Sequence, residues 1–369
     1  MRFTVNSSVI LKKLQSVSGV IATNNTLPIL DGVLFVVSED GNLYLTASDL
    51  ETTVTARCYL AGSDGVGDVV IPAKILIDIL KSLPKSDVVF MFEPWVNRVE
   101  LATTNGEYKI AGMDANKFPR TPTVSDGSAA VFGSAVLSRA ISHTLYAASD
   151  DTLRPALSGV CVEAKEGGAN FVATDAHRLA LVRADGSDIG ETVNIVVPQK
   201  PLNVLKSVLS GLDEAVDATF NQTNAMFSID GFTVICRLID AKFPNYDAVI
   251  PKQFSCVAKV NRADLMAAVG RVALFANQNT KAVRLDFVEN ELTLSADDID
   301  YSNSARERLD CEYSGDDLTI GFNSAFLMDA LKHSEGDEVS LQMDGPGKPC
   351  VVRTGVDMLM LIMTVNINA

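Results

Sequence analysis

Asp175 and His177, one residue apart and followed by Arg178, form the pairing in this chain that most invites a catalytic reading. A carboxylate beside an imidazole can orient a general base, but base catalysis also needs a nucleophile or a metal to act through. No nucleophile motif or acidic metal cluster accompanies the pair. Asp297-Asp298-x-Asp300 is the one dense acidic group, the kind of carboxylate cluster that a nuclease or hydrolase uses. It falls where Asp49 and Asp175 fall in earlier stretches of the chain, so a repeated turn accounts for it better. The three histidines, His143, His177 and His333, lie far apart, which disfavours a histidine metal site. Cys58, Cys161, Cys236, Cys256, Cys311 and Cys350 include no C-x-x-C pair and have mostly apolar neighbours, so they read as reduced, buried thiols. The chemistry-bearing residues thus call for no cofactor and no metal.

What positions these residues is a threefold repeat. Val5-Asn6, Val9-Ile10-Leu11 and Leu14 recur as Phe132-Gly133, Val136-Leu137 and Ile141, and again as Val260-Asn261, Leu265 and Val269. Ile71-Pro72-Ala73-Lys74 returns as Val197-Pro198-Gln199-Lys200 and, more faintly, as Phe322-Asn323-Ser324-Ala325. Asp114-Ala115-Asn116-Lys117-Phe118-Pro119 returns as Asp240-Ala241-Lys242-Phe243-Pro244. A spacing of 127 to 128 residues between the first markers is domain-sized and too long for a solenoid repeat. Pro- and polar-rich stretches at 119–128 and 244–254 mark the joins. We divide the chain into domains at 1–125, 126–252 and 253–369.

Each domain carries two segments of helical periodicity. The first begins near Ser8, Ser134 and Arg262, the second near Ala73, Gln199 and Ser324. Asn6 or Ser7, Gly133 or Ser134, Asn261 and Asn323 stand in capping positions. The remainder alternates like short strands between Gly, Asn and Asp turns. The predicted fold is α+β, with two amphipathic helices and about eight strands per domain and the helices on one side of the sheets.

The charge is segregated. The chain carries −15, yet the six predicted helices carry +8, leaving −23 elsewhere. Such a pattern presents a positive face to a polyanion while the other surfaces repel it. The candidate phosphate contacts are Lys12, Lys13, Lys74, Lys81, Arg139, Lys200, Lys206 and Arg271. With no recognition helix or aromatic base platform in evidence, contacts of this kind are independent of sequence.

Geometry limits how such a chain encloses a duplex. Six helices at ~10 Å spacing leave a hole of about 9 Å, and twelve, from two chains, leave about 28 Å. A duplex about 20 Å across passes the second and not the first, so a ring around DNA needs at least two chains. Apolar residues make up 47% of the chain and mean hydropathy is +0.18, as for well-buried domains. The longest apolar run near an end, Met358 to Met363, is too short to span a bilayer, and the N-terminus lacks the apolar stretch of a signal peptide. A cytoplasmic protein is expected.

Several segments closely resemble the bacterial DNA polymerase III beta subunits, the replicative sliding clamps. They are Met1-Arg2-Phe3-Thr4-Val5, Thr26-Leu27-Pro28-Ile29-Leu30, Thr46-Ala47-Ser48-Asp49-Leu50-Glu51 and Phe171 to Ala180 with its Thr174-Asp175-Ala176-His177-Arg178-Leu179 core. Lys242-Phe243-Pro244-Asn245-Tyr246, Tyr313-Ser314-Gly315 and Ile320-Gly321-Phe322-Asn323 complete the set, in register from residue 1 to 369. The resemblance implies a head-to-tail homodimeric ring of six domains, helices inside and sheets outside. The ring encircles duplex DNA, tethers the polymerase catalytic subunit and other clamp-binding proteins, and is placed by an ATP-driven clamp loader. It performs no chemistry of its own and works in the cytoplasm, on nucleoid DNA.

The resemblance also implies a pocket between the second and third domains for peptides carrying a Gln and a Leu-Phe-like end. Residue by residue, it carries over to Arg154, Leu157, Thr174, His177, Arg178, Leu179, Pro244, Val249, Asn323, Phe326 and Met363. It further implies Tyr108, Leu274 and Phe275 at the seam between chains. Three places depart from the family pattern. The tail runs Met363-Thr364-Val365-Asn366-Ile367-Asn368-Ala369 rather than Met-Pro-apolar-Arg-Leu; Asn24 and Asn25 stand where Arg is frequent; and Ala176 replaces the usual Gly. The competing readings are a hydrolase or nuclease, and a non-DNA scaffold built from the same domains. The basic helix set argues against the second, and the missing nucleophile against the first.

Overall fold

Six helices, taken two at a time, mark out three units of one design among the described residues. The computed structural model describes residues 1–60, 62–125, 127–185, 192–355 and 357–367, and the backbone of 188–189. The helices are α1 (Ser7–Ser18), α2 (Ala73–Ser82), α3 (Ser134–Thr144), α4 (Gln199–Leu209), α5 (Arg262–Val272) and α6 (Ser324–Lys332). Each starts within one residue of the position its periodicity predicts. Asn6, Asn261 and Asn323 cap α1, α5 and α6 by accepting the backbone N–H of Ser8, Asp264 and Ala325 at 3.0–3.1 Å. Ile10, Leu14 and Val17 of α1 are fully buried at helical spacing, so one face of the helix belongs to the core.

Within each domain the two helices lie side by side on one face of the sheets, and α1 also touches α4 across the first domain boundary. One apolar cluster runs through all three domains beneath them. A second, smaller cluster lies where residues 239–254 fold near the junction of the second and third domains. The described strands number nine, nine and ten in the three domains, rather than about eight. The additional ones are two- or three-residue edge pairings such as Gly62–Asp64, Glu312–Ser314 and Thr364–Val365, too short to show alternation.

The strands form four antiparallel sheets, five-stranded at either end of the chain and nine-stranded between. Each nine-stranded sheet is two half-sheets joined edge to edge. Thr52–Tyr59 of the first domain pairs with Phe232–Arg237 of the second, and Arg178–Asp185 of the second pairs with Met358–Ile362 of the third. The strands occupying the same two positions elsewhere, Glu107–Ala111 in the first domain and Asn303–Asp310 in the third, are sheet edges, paired on one side only among the described residues.

Candidate functional site

The turn after Phe171–Thr174 is built by its own side chains. Asp175 Oδ1 accepts the backbone N–H of His177 (2.9 Å) and Arg178 (3.0 Å), and its Oδ2 accepts Arg178 Nε at 3.0 Å. Thr174 Oγ1 accepts the N–H of Ala176 (3.1 Å) and donates to the Arg178 carbonyl (2.6 Å). Asp175 is spent on the turn and the neighbouring guanidinium and makes no bond to the His177 ring, so the two do not form a catalytic dyad. Ala176 has φ 77, in the region where glycine is the strain-free residue, which explains the family's Gly at this place. Leu50, in the matching turn of the first domain, has φ 79.

The acidic group of the third domain occupies that turn again, one residue out of the expected alignment. Asp298 faces Asn303 across its hairpin as Thr174 faces Leu179 and Ser48 faces Thr53, and Asp298 Oδ1 accepts the N–H of Asp300 at 3.2 Å. Asp298 therefore matches Thr174 and Ser48, and Ile299 matches Asp175 and Asp49. Among the described residues no group of three or more His, Cys, Asp or Glu could hold a metal ion. All six cysteines are buried, and burial pushes the thiols of Cys161, Cys236 and Cys350 up to about 12, which leaves them inert.

Beyond the turn, Arg178 reaches into the third domain. Its Nη1 donates to Asp329 at 2.5 Å, and its guanidinium lies 4.9 Å from the Phe326 ring centre and 5.3 Å from that of Tyr146. The His177 ring stacks on Phe326 at 5.9 Å, and the His177 carbonyl accepts the N–H of Met363 at 2.8 Å. His177 and Arg178 thus meet Phe326 and Met363, distant in sequence, at one seam. Arg178 is largely buried as cement between domains rather than displayed to a ligand. Burial pushes the Tyr146 phenol up, keeping it neutral under the guanidinium. Nothing local marks Tyr146 and Asp329 as members of this cluster, because ordinary helix-end and helix-surface positions look alike until the domains dock.

The other predicted pocket residues form a floor and a rim. Leu157 and Leu179 are buried in the smaller apolar cluster with Phe243, Tyr246 and Leu361, the last another member that sequence reasoning missed. Tyr246 is pinned by a bond to Glu163 (2.5 Å). Val249 and Met363 are exposed, Phe326 is half-buried, and Leu153, exposed beside Arg154, adds an apolar side chain not foreseen. Arg154 is held by Asp151 at 2.9 Å, Asn323 caps α6, and Pro244 is exposed next to buried Phe243. The altered tail forms a strand: Thr364 and Val365 pair with Phe322 and Gly321, where a Cβ on Gly321 would stand 2.8 Å from the Val365 carbonyl oxygen. Glycine at 321 is what lets the tail close against this edge.

The seam between the first and second domains repeats the frame but not the groove. Arg237 N–H donates to the Glu51 carbonyl at 2.8 Å, as Met363 does to His177. The positions of Leu179, Phe326 and Met363 are taken there by Thr53, Pro201 and Arg237, and Lys200 bonds Asp49 across the seam. Among the described residues, exposed Leu153, Val249 and Met363 thus give the second seam an apolar rim, where the matching strand and helix positions of the first seam carry Thr53, Pro201 and Arg237.

The basic helix residues divide in two. Lys12, Lys74, Lys81 and Lys206 are exposed and, among the described residues, make no ion pair. The other four are committed elsewhere. Arg139 bonds Glu335 twice (2.7 and 2.8 Å) and Asp357 once (2.7 Å) across the second seam. Lys200 bonds Asp49, and Arg271 bonds Glu307 twice (2.7 and 2.6 Å). Lys13 lies 4.0 Å from the Phe232 ring centre, and burial lowers its pKa. The expected set therefore mixes residues that present charge with residues that join domains or, in the case of Arg271, pair within one. Tyr108 lies on the free edge strand Glu107–Ala111, and Leu274 and Phe275 stand exposed on the turn after α5.

Known proteins match this architecture over its whole length. Family models for the N-terminal, central and C-terminal domains of the DNA polymerase III beta subunit match residues 1–122, 132–245 and 247–365. The beta sliding clamp of Pseudomonas aeruginosa is 32% identical over 335 residues, 90% of each chain, and that of Staphylococcus aureus 28% identical over 362 residues, 96% of this chain and 95% of that one. Among solved structures, the Pseudomonas aeruginosa DnaN sliding clamp bound to griselimycin superposes with a TM-score of 0.94 at 29% identity, covering both chains fully. The Thermotoga maritima DNA polymerase III beta subunit gives 0.93 at 26% identity, covering 99% of each.

Proposed function

The chain belongs to the DNA polymerase III beta subunit family, the bacterial sliding clamps, and from that premise we propose that two copies close head to tail into a ring around duplex DNA. As a member of that family it is a processivity factor in DNA replication, not an enzyme.

The observation that carries the ring is the pair of unpartnered edges. Both internal seams join the same two strand positions, and the chain's two ends present those positions open. An exposed edge strand is a template for pairing, and repeating the operator that relates successive domains brings the edge of one copy to the other edge of the next. The internal seams also set the register. Ile235 faces Thr53 and Leu361 faces Leu179; the equivalent residues at the open edges are Lys109 and Asn303. Lys109 of one copy therefore faces Asn303 of the other, and Ala111 donates its N–H to the Tyr301 carbonyl. Tyr108, Leu274 and Phe275 fall within this contact.

With two copies, twelve helices line the hole. The six helices of one chain carry +7 within their observed bounds, against −15 for the whole chain. Lys12, Lys74, Lys81 and Lys206 supply the phosphate contacts, each worth roughly one released counterion and none reading sequence. The groove at the second seam takes the polymerase subunit, the clamp loader and other proteins bearing a Gln and Leu-Phe-like motif, and the ring works in the bacterial cytoplasm on nucleoid DNA. The register is tested by Lys109→Cys combined with Asn303→Cys. Mild oxidation is expected to yield a covalent two-chain species, whereas crosslinking no better than for the native buried cysteines contradicts the seam.

A further inference from the structure

Of the five most exposed large apolar side chains among the described residues, four stand at the two open ends: Trp95 (95%), Ile299 (88%), Leu274 (82%) and Tyr301 (71%). Monomeric surfaces rarely gather such groups without a partner to cover them. The turns that carry them differ from their internal counterparts in a consistent way. The first and third positions of the hairpin turn are Asp49 and Glu51 in the first domain, Asp175 and His177 in the second, but Ile299 and Tyr301 in the third. The hairpin tip beside the joining strand is Asn221-Gln222 in the second domain and Trp95-Val96 in the first, the two tips aligned through Leu238 N–H to Thr223 and Gly112 N–H to Asn97. Polar at the closed seams, both surfaces are apolar where the chain ends.

We propose that Ile299 and Tyr301 of one copy pack on Ile75 and the Trp95-Val96 tip of the second, so that an apolar clasp, in place of ion pairs, selects a second copy of this chain as the partner. The inference rests on the ring reading and deepens it. Tyr301 takes the place of His177, whose ring stacks on Phe326; the residue equivalent to Phe326 at the open end is Ile75, itself exposed. At the first internal seam the corresponding turn instead binds charge, Asp49 to Lys200 and Glu51 to Arg237 (3.6 Å). The equivalents of Asp49, Glu51 and Arg237 at the open ends are Ile299, Tyr301 and Ala111, so Lys74, which stands where Lys200 does, meets no carboxylate at those turn positions and the second ion pair loses both its members. The tip at Trp95 lies two strand spacings from the Tyr301 carbonyl once the edges pair, about 9–10 Å, a gap that an indole and a phenol side chain together fill. A clasp of this composition joins like to like and leaves a chain with charged turns unmatched, since its carboxylates would be desolvated against indole and isoleucine.

The test is the dimer dissociation constant, by sedimentation, for the parent, Tyr301→Ser and Trp95→Ser, both substitutions lying at sites too exposed to disturb the fold. Each is expected to weaken the dimer about tenfold or more, with Tyr301→Phe retaining the parent affinity. Raising salt is expected to leave the parent constant nearly unchanged. A variant within about twofold of the parent removes that contact, and both within that range overturn the clasp while the ring stands. A parent chain that stays monomeric at micromolar concentration overturns the ring and the clasp together.

Discussion

The Arg178 guanidinium reaches Asp329 at 2.5 Å across the seam between the second and third domains, while its other edge holds Asp175 at 3.0 Å. One largely buried cation thus ties a hairpin turn to helix α6, and both elements border the seam where we propose that peptides bind. Replacing Arg178 by Met keeps the stem but leaves two carboxylates without their cation. The variant is expected to lose about 1–3 kcal/mol of stability by urea unfolding. It should also bind peptide more weakly, because Phe326 and His177 lose the cation that spaces them.

Arg139 makes the same seam sensitive to acid. Its hydrogen bonds hold the Glu335 and Asp357 carboxyls below the usual carboxylate range. A depressed folded value adds stability that is fully present above the unfolded value, about 4, and is lost as pH falls through the folded one. Arg139→Gln should therefore be less stable than the parent near neutrality, the two unfolding midpoints converging as pH falls below the ordinary carboxylate range. A constant gap between the two curves contradicts this assignment.

Ala176 holds a backbone conformation suited to glycine. Ala176→Gly is expected to raise stability by about 1 kcal/mol, read as a higher thermal midpoint, since relief of the positive φ outweighs the added freedom of the unfolded chain.

Phe326→Ala and Met363→Ala remove rim contacts while leaving the buried floor at Leu157 and Leu179 intact. Each should weaken binding of a peptide with a Gln and a Leu-Phe end by about tenfold, and Met363→Ala should do so without changing the unfolding midpoint beyond the ordinary surface range. Parent-like binding by both variants moves the peptide site elsewhere.

What could be read before the fold was known follows from how local each signal is. Helices at Ser8 or Ala73 declare themselves in a few residues of spacing, and the threefold repeat needs only the chain itself. Lys200 and Arg139 were grouped with Lys12 because a lysine or arginine on a helix face looks the same whether it faces solvent or a neighbouring domain. Only docking brings Asp49 to Lys200, or Glu335 and Asp357 to Arg139, from 151, 196 and 218 residues away. Ala176 carried a legible hint, since a residue other than glycine in a tight turn asks for a compensating side chain, and Asp175 with Thr174 provides it. Charge places the Asp297 to Asp300 group on Asp49 and Asp175, whereas strand register puts Asp298 on Ser48 and Thr174, one residue away.

Encirclement is measured most directly by retention on circular DNA loaded with the protein. The ring should remain on nicked circles, leave promptly once they are linearised, and be retained less when Lys12, Lys81 and Lys206 are changed to Glu while its mass stays at two chains. Equal retention on circular and linear DNA, or retention indifferent to those three lysines, contradicts a clamp that holds DNA by surrounding it.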